Sequence, residues 1–263
     1  MRSSIRDIFV SRGTRRAALV ITVVLPVLLA AYAWFINHRP ALHVKAEWTW
    51  QDTLIQNSDL LLSFVFLFVS ALPFYLVFDR KKVKARELTP IALMAALCVV
   101  GRAAFALIPL PNFKPVSAII IITALAFGPE AGYLTGALAA ILSNFLFGQG
   151  PWTPWQMFAF GIVGFLGGLI FRRKRGKWKH FHLWLCIYGG LSVLVIYGFL
   201  LDTASVFMGM GGINKAAFLA MYASGFPMNV IHGSATVIFL AVLGEPMLAK
   251  LERIRKKYGI LEP

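Results

Sequence analysis

Apolar residues along this chain fall into blocks of roughly 17 to 25 positions interrupted by short polar or charged stretches, the length a helix needs to cross a bilayer core. Eight such blocks are read: Ala17 to Ile36, Leu60 to Phe78, Pro90 to Ile108, Val116 to Phe127, Ala131 to Phe147, Trp155 to Phe171, Leu183 to Leu201 and Ala216 to Leu243. The pattern predicts an all-α, polytopic membrane bundle. The fourth block stands apart. At ~1.5 Å per residue its 12 residues reach ~18 Å, short of the ~30 Å hydrocarbon core. It must therefore leave Pro109 to Pro115 dipping into the membrane or draw in flanking residues. The first block follows a basic start as a secretory signal would. Its length, the lack of a small-residue cleavage site and the spans that follow predict that it is retained.

Composition agrees with a chain largely solvated by lipid: 59% of the 263 residues are apolar, with a mean hydropathy of +0.73. Charge tests the span count independently. Of 26 basic residues, 21 fall in four blocks: Arg2 to Arg16, Arg80 to Arg86, Arg172 to Lys179, and Lys250 to Lys257. With eight spans all four lie on one face, and the opposite loops hold only Arg39, Lys45, Lys114 and Lys215. Excess lysine and arginine marks the cytoplasmic side, so both termini are expected there. Topology and attraction to anionic inner-leaflet lipids then account for the net charge of +15, and no nucleic-acid partner is needed. Cys98 and Cys186 each sit inside an apolar run and read as ordinary lipid-phase or packing thiols, which say little of redox compartment.

The chain divides at its second basic block. Residues 1–86 form an N-terminal two-span extension with an outer loop, Asn37 to Asp59, that carries Glu47, Trp48, Trp50 and Asp52. Residues 87–263 form a six-span core with a basic tail. Within that core, Gly132, Gly136 and Ala140 recur four apart, and Asn144 continues the same face; Gly164 and Gly168 make a second small pair. Such faces let helix backbones approach closely where lipid gives helices little hydrophobic reason to associate. Ala92 and Ala96 put a similar small face on the third span.

A set of motifs follows the basic linker: Thr89-Pro-Ile-Ala92-Leu-Met-Ala-Ala96, Pro109-Leu-Pro-Asn112-Phe-Lys-Pro115, Leu125-Ala-Phe-Gly128-Pro-Glu-Ala-Gly132-Tyr-Leu-Thr-Gly136, and the stretch from Asn144 to Gln156. Together they resemble the S component of an energy-coupling factor (ECF) transporter, over roughly Glu87 to Leu243. The resemblance implies a six-helix subunit of the prokaryotic cell membrane that captures a vitamin or related micronutrient outside the cell. It implies that Ala92 and Ala96 dock on a transmembrane coupling subunit, and that two ATPase subunits, separate proteins, supply the energy. The two leading spans lie outside the six-helix plan.

The same resemblance places substrate between the outer helix ends, under the loops Pro109 to Pro115, Gly148 to Pro154 and Asp202 to Lys215. The residues there suit that role. Asn112 and Lys114 offer donors beside Phe113; Gln149, Trp152, Trp155 and Gln156 offer amides and flat faces; proline and glycine shape the backbone around them. Tryptophan at a membrane boundary also serves as an interface anchor, so Trp152 and Trp155 carry both readings. Asn144 requires partners from neighbouring helices or from ligand. Arg102 lies inside the third span and must face the interior, pair or snorkel; it reads as a substrate hook or as an internal hydrogen-bond donor. Asn229 and His232, three apart on the last span, share a face and read as packing partners or as the cavity floor.

Motifs of chemistry are absent. The sequence holds no phosphate-cradling loop ending in Lys and Ser/Thr, no His-Glu-x-x-His, no Cys-x-x-Cys and no Gly-x-Ser-x-Gly. No catalytic residue, metal site or cofactor is expected. Two other readings remain at this stage, an intramembrane enzyme using His232 with Asp202 or Arg102, and a self-sufficient ion-coupled carrier. The second calls for acidic residues buried mid-membrane, which the eight blocks do not contain. The aromatic outer loops favour a sizeable, flat, mostly neutral substrate, cobalamin-like or flavin-like.

Overall fold

A computed structural model of the chain describes residues 49–58, 85–208 and 214–259, with the isolated positions 27, 31, 61 and 65. The chain divides into two compact units, Met1–Val83 and Lys84–Pro263. The expected spans Ala17 to Ile36 and Leu60 to Phe78 lie outside the described residues. In the first unit, part of the expected outer loop is a short helix, α1 (Trp50–Gln56). Thr49 caps it: the Asp52 amide donates to its hydroxyl, and the Asp52 carboxylate accepts from the Thr49 backbone N–H at 3.0 Å. That reciprocal pair satisfies two otherwise orphaned donors and explains the helix start.

The second unit is all-helical among the described residues. Its elements are α2 (Ala85–Phe105), α3 (Val116–Phe127), α4 (Pro129–Phe147), α5 (Trp152–Phe171), α6 (Phe181–Met208) and α7 (Lys215–Tyr258). Five of these are long and apolar enough to cross a membrane, and α3 is the short sixth. Several boundaries differ from the hydropathy reading. Helix α5 begins at Trp152 rather than Trp155, because Pro154 falls in its first turn, where a missing N–H costs nothing. Helix α7 runs to Tyr258, far past Leu243, since hydropathy marks only where a helix meets lipid and not where its backbone stops. Arg255 pins the extension by donating to the Ala126 carbonyl at 2.6 Å, and Arg175 pairs with Glu245 and Glu252 at 3.1 and 2.7 Å.

Helix α3 keeps its 12 residues and takes in none from its flanks. It does not need to span the bilayer alone, because all its residues are buried against protein. Gly128, at a φ of 121° open mainly to glycine, turns the chain straight into α4, with Pro129 at the first helical position. At the other end the loop 106–115 folds back over the bundle. Phe113 anchors it, with ring centroids 6.2 Å from Phe105 and 5.5 Å from Phe239. The stretch from Phe113 to Pro115 is sheltered by the bundle in this way, whereas residues 106–111 are exposed.

The small-residue faces meet each other. A β-carbon on Gly136 would lie 2.6 Å from the Phe160 carbonyl carbon, and one on Gly164 would lie 2.9 Å from Gly132. One on Gly168 would lie 2.7 Å from Pro129. Helices α4 and α5 therefore touch backbone to backbone, which sets Asn144 near the end of α4 directly opposite the first turns of α5.

Candidate functional site

The end of the bundle away from the arginine-rich loop 172–180 carries a continuous polar chain through otherwise apolar helices. It begins at Arg102, near the end of α2. Its Nη1 donates to Ser143 Oγ at 2.6 Å and to Asn144 Oδ1 at 2.7 Å, and its guanidinium lies 4.6 Å from the Phe147 ring centroid. The cation fixes the neighbouring amide. With Oδ1 turned to Arg102, Asn144 has only Nδ2 for α5, and that group donates to Thr153 Oγ1 at 3.0 Å and Gln156 Oε1 at 2.9 Å. Gln156 in turn donates from Nε2 to the Tyr197 hydroxyl at 3.0 Å. Every donor in the sequence Arg102, Asn144, Gln156, Tyr197 thus points the same way, an ordering imposed by the charge at its head.

Tyr197 reaches this position from a π-helical turn, Ser192–Tyr197, inside α6. Such a turn inserts a residue into the helix and changes which side chains face the interior. The Tyr197 ring meets His232 edge-on at 4.8 Å, and His232 shares a 2.9 Å hydrogen bond with Ser117 Oγ at the start of α3. Hydrogen bonds therefore join α2, α4, α5 and α6, and the Tyr197–His232 ring contact sets the separate His232–Ser117 pair of α7 and α3 beside them.

The residues singled out from sequence separate in space. Arg102, Asn144, Gln156 and His232 enter one network, and Gln149 sits at its edge, accepting from Thr153 Oγ1 at 2.9 Å. Asn229 is buried but directed elsewhere: its Nδ2 donates to Asp202 Oδ2 at 2.8 Å, and Gly198 has no side chain because a β-carbon there would meet that amide at 2.6 Å. Trp155 is buried, with its ring 5.9 Å from Phe207. Trp152 is 42% exposed and lies back over Gly150. Asn112 takes a left-handed φ of 62° at the turn of the loop 106–115, which brings the half-buried Lys114 toward the bundle. Burial, and then repulsion from Arg102, lower the Lys114 ammonium to about 8. Tyr197, Ser117, Ser143 and Thr153 escaped the sequence reading. Tyr197 and Ser117 are hydroxyls among apolar neighbours, which nothing in the pattern separates from packing, while Ser143 and Thr153 lie beside or within the polar stretch 144–156 and were passed over for its amides and tryptophans.

Among the described residues no group of three or more His, Cys, Asp or Glu side chains is arranged to hold a metal ion. An apolar groove of about 410 Å³ lies at the basic end of the bundle, lined by residues that include Thr89, Leu93, Met94, Phe127 and Leu251. It lacks the converging amides and cations of the opposite end. It borders instead the exposed α2 face of Ala92, Leu93, Ala96 and Leu97.

A family model described as the S component of an ECF-type riboflavin transporter matches residues 82–253. The chain belongs to this family. It is a membrane-embedded, non-catalytic binding subunit of an ECF transporter, which accounts for the lack of enzymatic motifs. This S component is also 28% identical to the UPF0397 proteins of two Clostridium perfringens strains, SM101 and ATCC 13124. Each match runs over 162 residues and covers 59% of this chain and 80% of the relative. No solved structure matches it.

Proposed function

We propose that this S component captures a flavin-like vitamin outside the cell at the end of the bundle bearing Arg102, Asn144, Gln156 and Tyr197, and releases it inward when docked on an energising module. The observation that carries the reading is the ordered donor chain from Arg102 to Tyr197, which gathers polar groups from four helices at the end of the bundle away from the loop 172–180. The family name supports a flavin over the cobalamin-like alternative, and the Asn, Gln and Tyr groups suit the carbonyl and ring-nitrogen edge of a flat heterocycle. Both termini face the cytoplasm in this arrangement, and the loops 106–115 and 148–151 lie outside. Titrating the purified chain with riboflavin, cobalamin, biotin and pantothenate by calorimetry should give saturable binding of riboflavin. A folded protein that retains none of the four would end the capture reading.

Docking would use the exposed face of α2. Ala92 and Ala96 keep that face low between Leu93, Leu97 and Val100, so a partner helix can approach its backbone. Replacing both with leucine, Ala92→Leu/Ala96→Leu, is expected to abolish co-purification with the coupling subunit and its two ATPases while leaving ligand affinity in detergent intact. Retention of the full complex by the double variant would place the interface elsewhere. Since a ligand can bias the transport cycle only through different affinities in its outward and inward states, release must accompany a rearrangement of the network.

A further inference from the structure

Helices α2 and α7 meet toward the loop 106–115, where the Phe105 and Phe239 rings touch edge to face with 5.0 Å between centroids. Toward the basic end they leave the groove of about 410 Å³ between them. Leu93 and Met94 of α2 form one wall, Leu251, Ile254 and Tyr258 of α7 the other, and the buried Phe127, last residue of α3, also lines it. The groove sits at a membrane boundary. Its α2 wall begins at Thr89 and Pro90, at the start of the apolar span Leu88–Phe105, so it opens where hydrocarbon gives way to headgroups. Leu93, Ile254 and Tyr258 are exposed there.

The α7 wall is cationic along one edge. Lys250, Ile254 and Lys257 stand at i, i+4 and i+7 on one stripe of the helix, so a groove-lining side chain lies between two exposed lysines. Lys257 Nζ rests 5.3 Å from the centre of the Tyr258 ring, itself part of the lining. The two carboxylates of α7 are drawn elsewhere, since Glu245 and Glu252 both pair with Arg175. A positive edge therefore borders an apolar trough at headgroup depth.

From this arrangement we infer that the groove is a binding site for one anionic phospholipid, with an acyl chain against Leu93, Phe127 and Leu251 and the phosphate between Lys250 and Lys257. A lipid fits better than a partner helix, because the lining is apolar at the depth of hydrocarbon and the cations begin at the depth of phosphates. The Ala92 and Ala96 strip borders the groove but does not line it. The bound lipid fills the gap between α2 and α7, and so braces the inner part of α2 beside that strip.

Native mass spectrometry of the full chain in detergent tests the site, with equimolar dioleoyl phosphatidylglycerol and dioleoyl phosphatidylcholine as probes that share their acyl chains. The wild-type chain is expected to retain phosphatidylglycerol about tenfold or more over phosphatidylcholine, the scale that two basic side chains near a headgroup set. Lys250→Gln/Lys257→Gln should erase the preference. Lys177→Gln/Lys256→Gln, an equal loss of charge in the loop 172–180 and on the far face of α7, should keep it. Ile254→Trp should fill the groove and release both lipids while the thermal transition stays cooperative. The two double variants change only exposed side chains and decide the question whether or not Ile254→Trp folds. Equal retention of the two lipids by the wild type, or equal loss of preference in the two double variants, overturns the inference. So does a folded Ile254→Trp chain that keeps its phosphatidylglycerol but no longer co-purifies with the coupling subunit, which would assign the groove to that protein.

Discussion

Asn144→Leu is expected to abolish ligand binding and to lower the melting temperature in detergent more than any other single change in the polar network. Asn144 is 1% exposed and, among the described residues, is the one that links Arg102 on α2 to Thr153 and Gln156 on α5. Leucine fills similar space but offers nothing to hydrogen-bond. Arg102 would then keep a single hydrogen-bond acceptor, Ser143, and Gln156 Oε1 would lose its donor. A buried polar group left unpaired costs about 1–3 kcal/mol, and more when it is charged. Several kcal/mol of destabilisation is the expected scale. Asn144→Asp separates the two halves of the effect, because aspartate still accepts from Arg102 but cannot donate to Gln156. A folded Asn144→Leu protein with wild-type affinity would show that the network is packing alone.

The second large effect is expected at Gly136. Its missing side chain lets α4 press on the α5 backbone at Phe160 and Gly161, where an added β-carbon would stand 2.6 to 2.8 Å from backbone atoms. Backbone cannot rotate away as a flexible side chain can, so Gly136→Val must push the helices apart. Overpacking of this kind typically costs about 1–3 kcal/mol and here exceeds that range, because Gly132 and Gly164 lie in the same seam. Thermal unfolding of the variant in detergent should show loss of a cooperative transition or a steep drop in its midpoint. Gly148→Ala is the control for glycine itself: nothing lies within 4 Å of its added β-carbon, so only its φ of 102° opposes the change. A cooperative transition at the wild-type temperature in Gly136→Val would mean that α4 and α5 do not pack this closely.

The six helices of the second unit were legible because lipid imposes a length and a composition on any segment that crosses it. The same demand says nothing about where a helix stops, which is why α7 ran past its expected end and α5 began a turn early at Trp152. The small faces were legible too, as four-residue repeats, and their meeting partners followed from geometry alone. In the site, Arg102 and Asn144 stood out because a polar residue among apolar ones demands an explanation. Tyr197 did not, because an aromatic residue in an apolar run looks like core, and the π-helical turn that re-aims it has no sequence signature comparable to a proline or a glycine. Trp152 and Gln149 drew attention by residue type, yet the fold leaves the first partly in the open and ties the second to Thr153 and the Ile141 carbonyl.

Helix α3 has one more implication, for the order in which the molecule is built. A segment of 12 residues is too short to settle across a bilayer by itself during synthesis, yet in the finished protein it is sealed on all sides by its own neighbours. Its only covalent link to α4 is the single residue Gly128. The pair therefore enters the membrane as one helical hairpin with its turn at the basic end, and α3 acquires its full surroundings only when α5 and the later α7 close over it. Biogenesis of this subunit ends at its centre: the innermost helix is the last to be enclosed, and a chain truncated before α7 would leave it facing lipid.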